Sequence, residues 1–141
     1  MFLAGEHLAL EYLTVVKKPL RVLLFAGGPT RDYQFLRALL VRETDQKRAE
    51  LSICLQNSRP GEVIQDVPAE RMLLNFPNAI RDVDNPNEKP DDKYYNLMQY
   101  DVVVAFDPDW TRLEPDQAAL LDTWVHRHGG GLIIVGGPVN T

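Results

Sequence analysis

The chain has 141 residues, 45% of them hydrophobic and 25% charged, and carries a net charge of −5. That length suits one domain, which buries roughly 68–70% of its unfolded surface and sustains a real core. The acidic balance and the lack of a basic stripe argue against a nucleic-acid partner, and a single cysteine, Cys54, excludes an internal disulfide and a cysteine-rich metal site.

Residues Leu8 to Val16 are apolar and end in β-branched side chains, which suits an extended arm or a strand, although Ala9, Leu10 and Glu11 leave a helix open. No basic stretch precedes this segment and no small-residue cleavage site follows it, so no signal peptide is expected. Nowhere does an apolar run approach the ~18–20 residues of a membrane span. Lys17, Lys18 and Pro19 mark a boundary, and Lys17, Lys18 and Arg21 read as a solvated approach to a strand rather than a lipid or phosphate contact. The start within an apolar pattern and the abrupt ending at Thr141 suggest a piece of a longer chain.

Arg21 to Ala26 is a continuous apolar run closed by Gly27, Gly28 and Pro29, the signature of a strand buried on both faces of a parallel sheet. A helix is expected from about Arg31 to Arg42, capped by Thr30, with Leu36, Leu39 and Leu40 on its inner face and Phe35 at the margin. Ala49 to Leu55 supplies a second strand. Gln56 to Met98 is the least regular part, and its polar tract from Asp82 to Lys93 reads as a surface loop. A third strand spans Tyr100 to Phe106. A second helix runs from about Pro115 to His128, with Ala118, Leu121, Trp124 and Val125 buried and Glu114 and Asp116 at its positive end. Gly129 to Gly131 stop it before a fourth strand, Leu132 to Val135.

Strands alternating with helices predict an α/β fold with parallel pairing and helices on both faces. The expected spatial order is two-one-three-four, with Val22, Leu24, Val103, Val104, Ile133 and Ile134 in the core and the N-terminal arm outside the sheet.

In such a sheet ligands bind at the carboxyl ends of the strands, near the switch in strand order. Three turns qualify. Gly27, Gly28, Thr30 and Arg31 lie in the first, which lacks both the lysine of a phosphate-binding loop and the spacing of a dinucleotide fingerprint. The second holds Asp107, Asp109 and Trp110. A carboxylate there suits a phosphoacceptor or a Mg²⁺ ligand, but the first strand's end offers no further carboxylates, so Asp107 reads as a cap for backbone amides and Trp110 as folded back over the loop. The third is Gly136, Gly137 and Pro138, where a nucleophile elbow needs Ser or Cys. Ser52 and Cys54 lie within the second strand and Ser58 in the loop after it. His126 and His128, two apart on a helix, make a poor metal pair, and His7 has no evident partner. No catalytic residue, metal or cofactor is therefore assigned.

Four stretches, Lys18 to Leu24, Tyr33 to Leu40, Leu97 to Asp107 and Leu113 to Gly137, give the chain a resemblance to the class I glutamine amidotransferase-like superfamily. The similarity is to the divergent domain of large bacterial, planctomycete-type membrane proteins that also carry von Willebrand factor A-like domains. It implies a flavodoxin-like α/β/α sandwich over residues 18–141, with residues 1–17 arriving as an arm from a preceding β-rich domain of a membrane-anchored parent. Active relatives use an elbow cysteine with a downstream His and Glu, and no position here matches that cysteine. The leading expectation is a non-catalytic interaction or scaffolding domain, partnered by other domains of the parent or by another protein. Two alternatives are a small-molecule sensor using the three turns as one rim, and a hydrolase or transferase whose nucleophile lies beyond Thr141.

Overall fold

The computed structural model describes residues 18–57 and 67–136, so the Leu8–Val16 arm, Ser58 and Gly137 lie outside the described residues. Five parallel strands form one sheet: β1 (Leu20–Ala26), β2 (Ala49–Leu55), β3 (Met72–Leu73), β4 (Val102–Phe106) and β5 (Gly131–Val135). Helix α1 (Arg31–Asp45) links β1 to β2, and α2 (Pro115–His128) links β4 to β5. The spatial order is β3-β2-β1-β4-β5. The four expected strands keep their expected sequence across the sheet, and the order differs by β3 outside β2. Two residues carry no periodicity, which is why β3 leaves no trace in the sequence pattern.

β1 is central and feeds two cores. Leu23 and Phe25 pack with Val103, Ala105, Leu121 and Trp124 beneath α2, while Val22, Leu24 and Ala26 pack with Tyr33, Leu51, Ile53 and Phe106 beneath α1. The helices therefore cover opposite faces, giving the three-layer α/β/α sandwich of a flavodoxin-like fold. Thr30 caps α1 through a hydrogen bond accepted from the Tyr33 amide, 3.3 Å. Tyr33 is the buried residue of this helix, whereas Leu39 and Phe35 are exposed. The inner face is thus carried by Tyr33, Leu36, Leu40 and Val41 instead of Leu39. The helix also runs one turn past Arg42, to Asp45.

α2 opens with Pro115 at its first position and a reciprocal capping box between Glu114 and Gln117. Leu121 and Trp124 are its buried residues, with Leu120 and Val125 partly buried, while Ala118 is exposed against expectation. Gly129 ends the helix at φ 69°, and the amides of Gly129 and Gly130 both donate to the Trp124 carbonyl. The next glycine is a packing requirement. A Cβ on Gly130 would stand 2.2 Å from ring atoms of the buried Trp124, whereas one on Gly131 meets nothing nearer than 3.5 Å.

The core expectation holds for Val22, Leu24, Val103 and Val104 and fails for Ile133 and Ile134, which are 53% and 55% exposed. β5 ends the sheet among the described residues, and neither helix reaches across it to both isoleucines. The irregular segment is also more ordered than its composition suggests. Residues 82–87 are exposed loop, but Pro90–Tyr95 forms a 3₁₀ turn and Asn96 is fully buried. Asn96 accepts from the amides of Arg81 and Met98 and donates to the Arg81 carbonyl, fastening two parts of the segment together.

At the amino edge, Arg21 and Asp101 lock β1 against β4. The Arg21 guanidinium donates to both Asp101 oxygens at 2.9 and 3.3 Å, the Arg21 amide donates to the same carboxylate, and the Asp101 amide returns a bond to the Arg21 carbonyl. Burial alone would raise the Asp101 carboxyl, but these hydrogen bonds and the positive charge outweigh it and hold it below its ordinary range.

Two outcomes are expected. Gly130→Ala should lower stability in urea unfolding by about 1–3 kcal/mol, the cost of overpacking a close-packed site, while Gly131→Ala changes it far less; equal losses would contradict the Trp124 contact. Because the folded Asp101 carboxyl sits below its unfolded value, its contribution is complete above about pH 4 and is lost as pH falls through the folded value. Asp101→Asn should flatten that part of the acid unfolding curve, and an unchanged acid limb would show that the pair does not couple to folding.

Candidate functional site

The chain leaves β1 toward one face and β4 toward the other, so the switch in strand order lies between these two neighbours. Their carboxyl ends, with the end of β5, lie side by side. The Gly27 amide donates to the Phe106 carbonyl at 3.1 Å, and the Asp107 amide donates to the Val135 carbonyl at 2.9 Å. The three expected turns therefore do share one edge, with Gly137 outside the described residues.

Their individual geometry differs from turn to turn. A Cβ on Gly28 would meet only the Asn57 amide nitrogen, at 4.0 Å, so packing does not demand glycine there. Arg31 is exposed at the start of α1, and Gly136 is exposed beyond β5. Asp107 is buried and has φ 43°, a left-handed conformation that Asp tolerates better than most residues. The following turn is capped by Asp109, whose carboxylate accepts from the amide and hydroxyl of Thr111. Trp110 folds back as expected, with its ring edge-on to Phe25 at 6.0 Å.

Among the described residues a cavity at this edge lies beside the expected rim, on the α2 side of the sheet. It holds about 300 Å³ between the ends of β1 and β2, the segment from Leu74 to Asn78, and the approach to α2 from Arg112 to Gln117. Phe25, Cys54 and Phe76 line it, and Arg112 stands among its wall residues. None of Gly27, Gly28, Thr30, Arg31, Asp107, Asp109, Trp110 or Gly136 does.

Neutral amides hold the cavity walls. Gln56 donates to the Asp109 carbonyl at 2.9 Å and accepts from the Asp109 amide at 2.7 Å. Asn57 donates to the Gly27 carbonyl and accepts from the Arg112 guanidinium at 2.9 Å. Gln117 donates to the Phe76 carbonyl at 2.8 Å and accepts from the Glu114 amide. Gln56 and Asn57 were legible by the same carboxyl-edge rule that singled out the other turns, since they follow β2 directly. Arg112 and the Leu74–Asn78 segment had no such signal, because only the tertiary fold carries them to this edge.

Cys54, on the cavity wall, is 2% exposed, and burial pushes its thiol up to about 12 although the nearby Arg112 charge pulls it down. Ser52 is fully buried in the same strand. The His126 ring contacts Asp122 one turn earlier, at 3.0 Å, and both His126 and His128 are exposed. Among the described residues, no group of three or more His, Cys, Asp or Glu side chains is placed to hold a metal ion. No helix there is long and apolar enough to cross a membrane.

No protein-family model, no curated protein and no solved structure matches this chain.

Native Cys54 should resist iodoacetamide at about pH 8, well below its thiol pKa, and react only once the protein is unfolded in urea. Native alkylation at the rate of a free thiol would show that the strand opens readily.

Proposed function

We propose that this chain is a non-catalytic interaction domain that takes its partner along β5. The observation that carries this reading is the exposure of Ile133 and Ile134 on an edge strand. They are successive residues on opposite faces, each more than half exposed, and among the described residues nothing pairs with the outer side of β5. A strand or loop laid against that edge would gain main-chain hydrogen bonds and cover apolar surface on both faces at once.

The resemblance to amidotransferase-like domains of membrane-anchored proteins supports a partner within the same parent chain, or a protein bound to it. The buried, strongly protonated Cys54 supports the absence of nucleophilic catalysis, and purified protein should turn over neither glutamine nor simple esters above background. A double substitution, Ile133→Lys with Ile134→Glu, tests the docking edge. Both side chains are exposed, so circular dichroism and thermal stability should hold, while recovery of the parent's remaining domains in a pull-down should fall at least about tenfold. Recovery equal to the unsubstituted chain would remove β5 as the docking edge.

A second reading is small-molecule sensing, favoured by the 300 Å³ cavity beside the switch point. A ligand held there would stabilise the fold by mass action.

A further inference from the structure

We propose that the cavity at the carboxyl edge binds a small organic monocarboxylate, with the Arg112 guanidinium as its anchor. This rests on the small-molecule reading and names the ligand class for it. The volume of about 300 Å³ lies at the lower end of ligand-sized pockets and admits only a compact molecule.

Arg112 is the cation of this wall and has no carboxylate partner among the described residues. Among the described residues its guanidinium makes one hydrogen bond, to Asn57 Oδ1, and its other donors face no described acceptor. Asn57 is itself fastened to the end of β1, so among the described residues the guanidinium is positioned without being neutralised. Its charge reaches the cavity wall, where it acts on the Cys54 thiol. A planar carboxylate matches the guanidinium fork in geometry as well as charge.

The other groups narrow the class. The first turn of α2 offers little to a phosphate, because Glu114 and Gln117 already close a capping box there. Glu114 also places a carboxylate on the same wall, which disfavours a second negative charge on the ligand. Gln56 and Gln117 spend both ends of their amides on the scaffold. Leu113, half-buried, is the apolar wall residue with surface to offer a short hydrocarbon tail, with the buried Phe25 and Phe76 behind it. A monoanion with a small apolar body satisfies these constraints together.

The test titrates the purified chain with butyrate and benzoate, with butyramide and inorganic phosphate as comparisons at constant ionic strength. Thermal stability and tryptophan fluorescence are read together. Both carboxylates should raise the melting temperature saturably and perturb the fluorescence. Arg112→Gln should weaken them at least about tenfold, Arg112→Lys should weaken them less, and Arg42→Gln on the far part of α1 should leave them unchanged. If Arg112→Gln loses its native circular dichroism, the comparison of Arg112→Lys with the unsubstituted chain decides: equal carboxylate affinity overturns the fork contact. Phosphate binding more tightly than carboxylate also overturns the proposal. Saturable butyramide binding that ignores Arg112 overturns the carboxylate class and leaves the small-molecule reading standing. No response to any of the four probes overturns both.

Discussion

Everything in this molecule depends on β1 being buried on both faces between β2 and β4. Its alternating residues belong to different cores, Leu23 and Phe25 on the α2 side and Val22, Leu24 and Ala26 on the α1 side. A one-residue slip would exchange the two sets, pressing Leu24 into the space shaped for Phe25. The Arg21–Asp101 clamp resists such a slip where β1 begins, because the charge pair and the two backbone bonds fit only one register. Correct register at the amino edge then determines which atoms meet at the carboxyl edge, five or six residues along the strands.

Much of this was legible in the chain, and the parts that were not share a physical character. Strands buried on both faces announce themselves by unbroken apolar runs, and the caps Thr30, Pro115 and Gly129 mark helix ends through local chemistry. Burial in the third dimension is another matter. Leu132 to Val135 is as apolar as a central strand, yet β5 stands at the edge of the described sheet and Ile133 and Ile134 remain exposed. Likewise Leu39 and Leu40 are neighbours of equal hydropathy, and only the position of α1 over the sheet decides which one faces inward. Gly130 looked like part of a helix stop, but its deeper constraint is the Trp124 ring lying against its α-carbon. The candidate site was half legible for the same reason. Turns after strands were identifiable, whereas a cavity wall assembled from Leu74, Arg112 and Gln117 requires the fold.

An apolar edge and a polar cavity place different demands on one small sheet. Among the described residues the edge at β5 has no strand on its outer side and leaves two isoleucines exposed, a condition that favours pairing and carries an aggregation hazard when left uncovered. The cavity lies toward β1 and β2, separated from β5 by β4. A partner on β5 and a ligand in the cavity need not compete for the same atoms. They meet through α2, whose inner residues pack on the core beneath β4 and whose first turn forms part of the cavity wall.

The same economy of charge that stiffens the carboxyl edge also decides its chemistry. Carboxamides join its loops: Gln56 to Asp109, Asn57 to Gly27 and Arg112, Gln117 to Phe76 and Glu114. A carboxamide both donates and accepts, so it can fasten two loops in a half-buried place without the desolvation cost of an ion. A nucleophile would need the reverse, an unsatisfied base or a cation close enough to ionise a thiol. Arg112 acts on Cys54, but burial dominates, and a thiol with a pKa of about 12 is ionised to on the order of one part in 10⁵ at neutral pH. The guanidinium thus lacks the leverage to activate the cysteine, and among the described residues only one of its bonds, to Asn57, is made. If an anion binds there as proposed, loops already joined by Gln56, Asn57 and Gln117 lower the entropy lost on binding.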